Sequence, residues 1–238
     1  MKPSLSATAA LATALFLAST SIAGPFKPSV EKLDKKMYNL MERFINLQSE
    51  AGKKVPGDLI KRAHGIVIIH KVKVGLGLGG EAGGGVALIR DSKTNEWSAP
   101  GFVASGGGSY GLQIGAEEST IVMLLMNEKS LDILRRGKID AGIEFQATAG
   151  PADANAGASV DNIDAPILVY TNSGGLFAGA AFKSDGIIPA QKRNEVYYGN
   201  SLQEVLFQST RKPPKIGQSV IDILMHYSGE KVIEGKAR

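Results

Sequence analysis

The chain of 238 residues contains no cysteine. That excludes disulfide stapling, thiol catalysis, thiolate-bound metal and a lipid-modified N-terminal cysteine. A chain of this length can bury a core large enough to hold without staples. Histidine is also scarce, with only His64, His70 and His226. There is no H-E-x-x-H, and the spacing of the three offers no metal set, so no metal and no cofactor is expected. The one tryptophan, Trp97, reads as a core residue. No single sign of charge dominates either: 27 basic against 23 acidic residues leave +4. That is too little for a committed nucleic-acid binder, while local cationic patches are still allowed. A bilayer-spanning segment is missing as well. The apolar run from Leu5 to Ala18 is interrupted by Thr8 and Thr13 and falls short of the roughly 20 residues a span needs.

That same run has the layout of a secretory leader. Lys2 gives one positive charge, no acid precedes Glu31, and Leu11, Leu15, Phe16 and Leu17 form the bulky centre. Ser21-Ile22-Ala23 then puts small residues where a signal peptidase reads. The expectation is a signal peptide over 1–23 and one domain over 24–238, its core about 30–228. The location is then the periplasm, the cell envelope of a bacterium, or the medium. Loss of Lys2 leaves 26 basic residues against 23 acidic ones.

Past Pro28, Ser29 can cap a helix, with Glu31 in the first turn where the helix dipole favours an acid. Leu33, Met37, Leu40, Phe44 and Leu47 follow at alternating spacings of four and three, predicting an amphipathic helix to about Ala51. The pattern then turns extended. Strands are expected at Ile66 to Ile69, His70 to Val74, Val86 to Ile89, Trp97 to Val103, Ser119 to Met126, Ile143 to Ala149, Ile167 to Tyr170 and Leu176 to Phe182. The glycine-rich blocks at Gly75 to Gly85, Gly106 to Gly108 and Gly174-Gly175 punctuate them and point to tight curvature. Helices are expected at Lys129 to Arg136, Leu202 to Gln208 and Ile216 to Tyr227, and a surface loop at Gly150 to Asp164. This order predicts an α+β fold: a curved, mainly antiparallel β-sheet flanked by an N-terminal amphipathic helix and C-terminal helices.

Two motifs invite an enzymatic reading. Gly75-x-Gly77-x-x-Gly80 fits the dinucleotide fingerprint, but a helix must start at its third glycine, and the sequence continues into Val86-Ala87-Leu88-Ile89. Gly107-Gly108-Ser109-Tyr110-Gly111 matches G-x-S-x-G, the elbow that presents a hydrolase serine between a strand and a helix. Leu112-Gln113-Ile114-Gly115 alternates as a strand instead, so a serine hydrolase on Ser109 stands only as an alternative. Glu117 and Glu118, adjacent on a strand, point to opposite faces and cannot flank one bond.

Basic residues beside apolar segments stand out more. Lys53, Lys54, Lys61, Arg62, Lys71 and Lys73 share a stretch whose one acid is Asp58, and Lys27, Lys32, Lys35 and Lys36 precede them on or near the helix. Taken singly, each reads as a solvated side chain. Together with the helix they suit a membrane surface, where lysines meet anionic headgroups.

Six phrases in order resemble the SYLF domain: Ala63-His64-Gly65-Ile66, the block Gly75 to Gly85, Trp97-Ser98-Ala99-Pro100, Gly111 to Glu117, Ala149-Gly150-Pro151 and Tyr197-Tyr198-Gly199. The likeness covers about Val30 to Ser228. It implies a non-enzymatic domain that binds anionic phospholipid, phosphoinositides in eukaryotic members, through the N-terminal helix and nearby basic residues. Those are Lys32, Lys35, Lys36, Lys53, Lys54, Lys61, Arg62, Lys71 and Lys73 here. The expected partner is an anionic membrane or envelope lipid, met peripherally and without a span, with no nucleic acid. The leader and the lack of a Src-homology domain resemble a bacterial exported branch, so actin binding is not carried over. A structural envelope protein that binds a protein partner is the other alternative.

Overall fold

The structure, a computed structural model, describes residues 28–50, 54–136, 147–149, 165–172, 186–208 and 212–230, with backbone alone at 75–79, 107–115, 147–149 and 186. The expected leader, the loop at 150–164 and the strand at 176–182 lie outside the described residues.

Helix α1 (Val30–Ser49) starts where the sequence indicates: the Ser29 hydroxyl accepts from the Lys32 N–H, and Glu31 sits in the first turn. All five residues of its apolar stripe are buried. The stripe therefore faces the domain and not a membrane, as a helix stripe in a globular domain ordinarily does. Gln48 grips the returning chain, accepting from Val55 N–H at 2.6 Å and donating to its carbonyl at 3.2 Å.

A short helix α2 (Gly57–Arg62) follows, where an extended segment was expected. Its Leu59 and Ile60 are fully buried. A Cβ on Gly57 would collide with the Tyr227 carbonyl, so only glycine lets the two segments approach this closely.

The sheet differs from a set of short strands. Strand β1 (Gly65–Ile89) runs unbroken through the whole glycine block, and β2 (Gly101–Leu125) runs through Gly106 to Gly108. They pair antiparallel from Gly65↔Leu125 to Ala87↔Gly101, with one register shift between Leu76 and Leu78. The two halves of β1 also lie side by side. Arg90 N–H donates to His64 O at 2.8 Å, and a Cβ on Gly85 would strike the Ile68 carbonyl. The glycines thus let β1 double back while β2 follows it round the outside.

The rest of the sheet is built on β2. Its C-terminal part pairs antiparallel with β4 (Ile167–Thr171), which carries β3 (Ala147–Ala149) in parallel. Its N-terminal part pairs with β5 (Gly186–Pro189). Among the described residues the sheet is mainly antiparallel and not closed, and the α+β reading holds.

Both faces are covered, which explains why the strands read as continuous apolar runs rather than alternating ones. Ile66, Ile68, Val86, Leu88, Val122, Leu124, Leu168 and Tyr170 pack under α1, α2 and the last helix of the chain. Val67, Ile69, Ala87, Ile89, Met123, Leu125, Ile167 and Val169 pack on the opposite side. That side is covered by Leu131, Ile133 and Leu134 of a 3-10 turn (Glu128–Leu131) that leads into helix α3 (Asp132–Arg136). Leu202 and Leu206 complete the cover, Leu206 within a π turn (Glu204–Gln208).

Two further helices frame the domain. The first, α4 (Gln191–Tyr198), was not expected from its pattern; the second, α5 (Lys215–Ser228), was. The expected strand at Trp97 to Val103 starts only at Gly101, and Trp97 makes a single bridge to Arg90. The Arg90 guanidinium lies 4.3 Å over the Trp97 ring and grips Glu230 with two bonds of 2.7 and 2.9 Å. No helix among the described residues is long and apolar enough to cross a membrane.

Candidate functional site

The fold first disposes of the two enzyme-like motifs. Gly75-x-Gly77-x-x-Gly80 lies inside β1, so no helix N-terminus faces a pyrophosphate. Ser109 pairs with Gly79 in mid-strand of β2, with no strand-to-helix elbow around it. His70 sits with Nε2 3.6 Å from Glu118, whose carboxylate also takes Arg43 at 3.0 Å. His64 faces Glu128 at 3.7 Å, and the His226 ring packs against Tyr227. Among the described residues no three His, Asp or Glu side chains come together as a metal set.

The nine basic residues separate into groups. Lys32 and Lys35 are exposed on the N-terminal half of α1, with Lys36 half-buried beside them. Lys54, Lys61 and Arg62 are exposed beyond the other end of the helix, and Lys53 lies outside the described residues. At a rise of about 1.5 Å per residue, the helix between Lys36 and Ser49 alone keeps the two groups roughly 20 Å apart. Lys73 stands opposite Glu117 in the β1–β2 register. Lys71 departs from the expected solvated position: its ammonium is buried and meets Glu81 at 3.0 Å. The bend in β1 carries Glu81 back over it, so this lysine faces the interior of the fold.

The pattern of the sequence missed one cationic element. Helix α4 places Lys192 and Arg193 in its first turn, against the N-terminal half of α1. Its position is fixed from three sides. Asn194 is fully buried and pairs with the strand backbone like a neighbouring strand, accepting from Phe102 N–H at 2.7 Å and donating to Phe102 O at 2.8 Å. The Tyr197 hydroxyl donates to the Asp34 carboxylate of α1, and the Tyr198 hydroxyl to Pro100 O at 2.7 Å. Gly199 ends the helix at φ +70°, a left-handed cap that glycine takes without strain. The rings of Tyr197, Tyr198 and Phe102 stack edge-on and tilted. Tyr-Tyr-Gly is therefore a structural anchor for α4.

The electrostatics of this crossing are unusual for a surface. Burial holds the Lys36 ammonium below its ordinary pKa, and the positive charge of Arg193 lowers it further. Burial likewise lowers Arg193. Both side chains are half-buried.

The fold and this crossing of α1 and α4 define an α+β domain built on a mainly antiparallel sheet. A family model described as "Ysc84: Las17-binding protein actin regulator" matches residues 106–227, and the chain belongs to that family. It is 32% identical over 201 residues to LAS seventeen-binding protein 3 of Saccharomyces cerevisiae, covering 81% of this chain and 43% of that protein. Protein YSC84 of the same yeast is 31% identical over 211 residues, 85% of this chain and 45% of that protein. The SH3 domain-containing YSC84-like protein 1 of Xenopus laevis is 26% identical over 217 residues, 88% of this chain and 64% of that protein. The chain thus spans less than half the length of these yeast relatives. No solved structure matches.

Proposed function

We propose that the domain binds anionic membrane lipid reversibly and peripherally, and that it carries out no catalysis. The observation behind this reading is that Lys32 and Lys35 are exposed on α1 and Lys192 is exposed on α4, the helix that packs against it. Because the apolar stripe of α1 is spent on the core, attachment rests on charge at the headgroups and not on helix insertion. The names of the relatives, which describe binding and SH3-containing proteins, agree with a non-enzyme. The leader at 1–23 supports export to a cell envelope, and a chain recovered from that fraction should begin at Gly24.

Co-sedimentation of the mature chain with phosphatidylcholine vesicles, with and without phosphatidylglycerol, tests the reading. Binding is expected only to the anionic vesicles and is expected to weaken as salt rises. Equal binding to both, or to neither, would sink it. A protein-partner reading would then take its place, favoured by the Las17-binding names of the relatives and by exposed Ile188 of β5 and Val196 of α4. It predicts a complex that salt disturbs little.

A further inference from the structure

Strand β1 turns His70 to the side of the sheet that α1 covers. Ile66 and Ile68 belong to the core on that side and Val67 and Ile69 to the core on the other, and the alternation continues through His70 and Lys71. Two acceptors meet the ring. Its Nδ1 lies 3.3 Å from the Ser119 carbonyl oxygen, and its Nε2 lies 3.6 Å from the Glu118 carboxylate, which also holds Arg43 of α1 at 3.0 Å. A carbonyl oxygen only accepts, so Nδ1 is the nitrogen that carries a proton whatever the charge of the ring. In the neutral ring Nε2 is then bare, and its lone pair faces a carboxylate. Only the doubly protonated imidazolium suits both neighbours. Among the described residues, the charges at this ring are Glu118 of β2 and, through it, Arg43 of α1. Lys71 points to the other side of the sheet and pairs with Glu81, and Glu117 stands opposite Lys73 on that far side.

We infer that His70, Glu118 and Arg43 form a pH-sensitive clasp, which ties the middle of α1 to the β1–β2 pair more firmly once the imidazole is doubly protonated. With the ring neutral, Glu118 holds Arg43 while a lone pair repels it from the other side. With the ring charged, the carboxylate lies between two cations, one from the helix and one from the strand, and joins the two elements. Because the tie forms with the protonated ring, its contribution is present in acid. It is lost as pH rises through the range, about 5 to 8, in which imidazoles give up their charge. The Glu118 side chain is 58% exposed, so the gain is that of an exposed pair, a factor of about two to five in the folded-to-unfolded ratio. His64 supplies a contrast within the same chain. Its Nδ1 lies 3.7 Å from Glu128, which Arg135 also holds, but that trio joins the start of β1 to the 3-10 turn and α3 instead of to α1. The clasp is independent of the lipid reading.

Three measurements at pH 5 and pH 8 test the clasp. The first needs no variant: nitrogen NMR of the wild-type His70 ring should show Nδ1–H with a bare Nε2 at pH 8, and both nitrogens protonated at pH 5. A proton on Nε2 at pH 8, or a ring still neutral at pH 5, would overturn the clasp. The second is a double-mutant cycle of His70→Gln and Glu118→Gln in denaturant unfolding. The two positions should be coupled by a factor of about two to five at pH 5 and uncoupled at pH 8. Equal coupling at both pH values, or none at either, would overturn it as well. The third reads α1 itself, through the hydrogen-exchange protection factors of the amides from Arg43 to Leu47, corrected for the pH dependence of free exchange. Protection in wild type should rise about two- to fivefold from pH 8 to pH 5. The rise should vanish in His70→Gln and Glu118→Gln and persist in His64→Gln. Arg43→Gln should keep the coupling of His70 to Glu118 and lose the rise in α1. If His64→Gln abolishes the rise while His70→Gln keeps it, the pH response lies at the other trio and the clasp is wrong.

Discussion

The ammonium of Lys71 meets the carboxylate of Glu81 at 3.0 Å, although the two lie ten residues apart on one continuous strand. In a straight strand they would be roughly 33 Å apart, at about 3.3 Å per residue. The pair therefore marks the doubling back of β1. With side chains only 6% and 9% exposed, neither charge can fall back on water if the other is removed. Lys71→Met should cost about 3–5 kcal/mol in denaturant unfolding, because it takes away the ammonium that faces a buried carboxylate. Lys71→Met with Glu81→Leu should recover most of that loss. A single-variant loss below about 1 kcal/mol would mean that Glu81 reaches water in the folded domain.

A second pair closes the opposite end of the hairpin. Arg90 holds Glu230 with two bonds, Ser228 donates a third at 2.7 Å, and the Glu230 pKa is lowered chiefly by the Arg90 bonds. A carboxyl whose pKa is lower folded than unfolded stabilises the fold above its unfolded value, about 4.3, and the contribution fades as pH falls through the folded value. Glu230→Gln should cost about 1.5–3 kcal/mol at neutral pH. Unfolding curves of wild type and variant should converge below about pH 4. A gap that stays constant down to pH 3 would show that Glu230 acts by packing and not by charge.

Phe44 separates the two uses an amphipathic first helix could have. Its ring is 1% exposed and meets Tyr227 of α5 edge-on at 5.6 Å. Phe44→Ala should cost about 3–5 kcal/mol of stability through lost burial and the cavity left behind. Below its lowered melting point the variant should still bind anionic vesicles as wild type does. Lost vesicle binding with an unchanged melting point would return this stripe to the membrane.

The elements that were legible in the sequence are those whose own pattern decides them. The stripe from Leu33 to Leu47 needs only a 3.6-residue period and one buried side, and Ile66 to Ile69 or Ile167 to Tyr170 can only be buried strands. The glycine blocks were misread because glycine is depleted in strands on propensity. Here it is required, since the two halves of β1 pass so closely that Gly85 has no room for a Cβ beside the Ile68 carbonyl. Helix α2 is six residues long, opens on Pro56 and Gly57, and holds its shape through tertiary contact, so no periodic signal exists to find it. Helix α4 is polar on most sides and buries Asn194 where a pattern reader looks for an apolar residue. The run His70-Lys71-Val72-Lys73 suggests an outward-facing lysine at position 71; only the return of Glu81 makes it an inward one. The crossing of α1 and α4 was hidden for the same reason, as Asp34 and Tyr197 are joined by topology alone.

The separation of the basic residues into two groups gives the last prediction its form. A basic residue near an anionic surface contributes on the order of 1 kcal/mol, and reversing its sign removes an attraction and adds a repulsion. Reversing Lys32, Lys35 and Lys192 to Glu should therefore weaken vesicle binding by several kcal/mol at low salt, on the order of 1–2 kcal/mol for each residue. All three side chains are exposed, so the melting point should hold. Reversing Lys54, Lys61 and Arg62 should weaken binding less, because they lie beyond the far end of α1 and Lys61 sits close enough to Glu230 to lower its pKa. Both differences should shrink as ionic strength rises, since screening limits exposed charges to about 8 Å at physiological salt. If the Lys54, Lys61 and Arg62 reversal proves the more damaging of the two, the contact face is the α2 end of the domain. If neither reversal changes binding, charge on α1, α2 and α4 does not carry attachment at all.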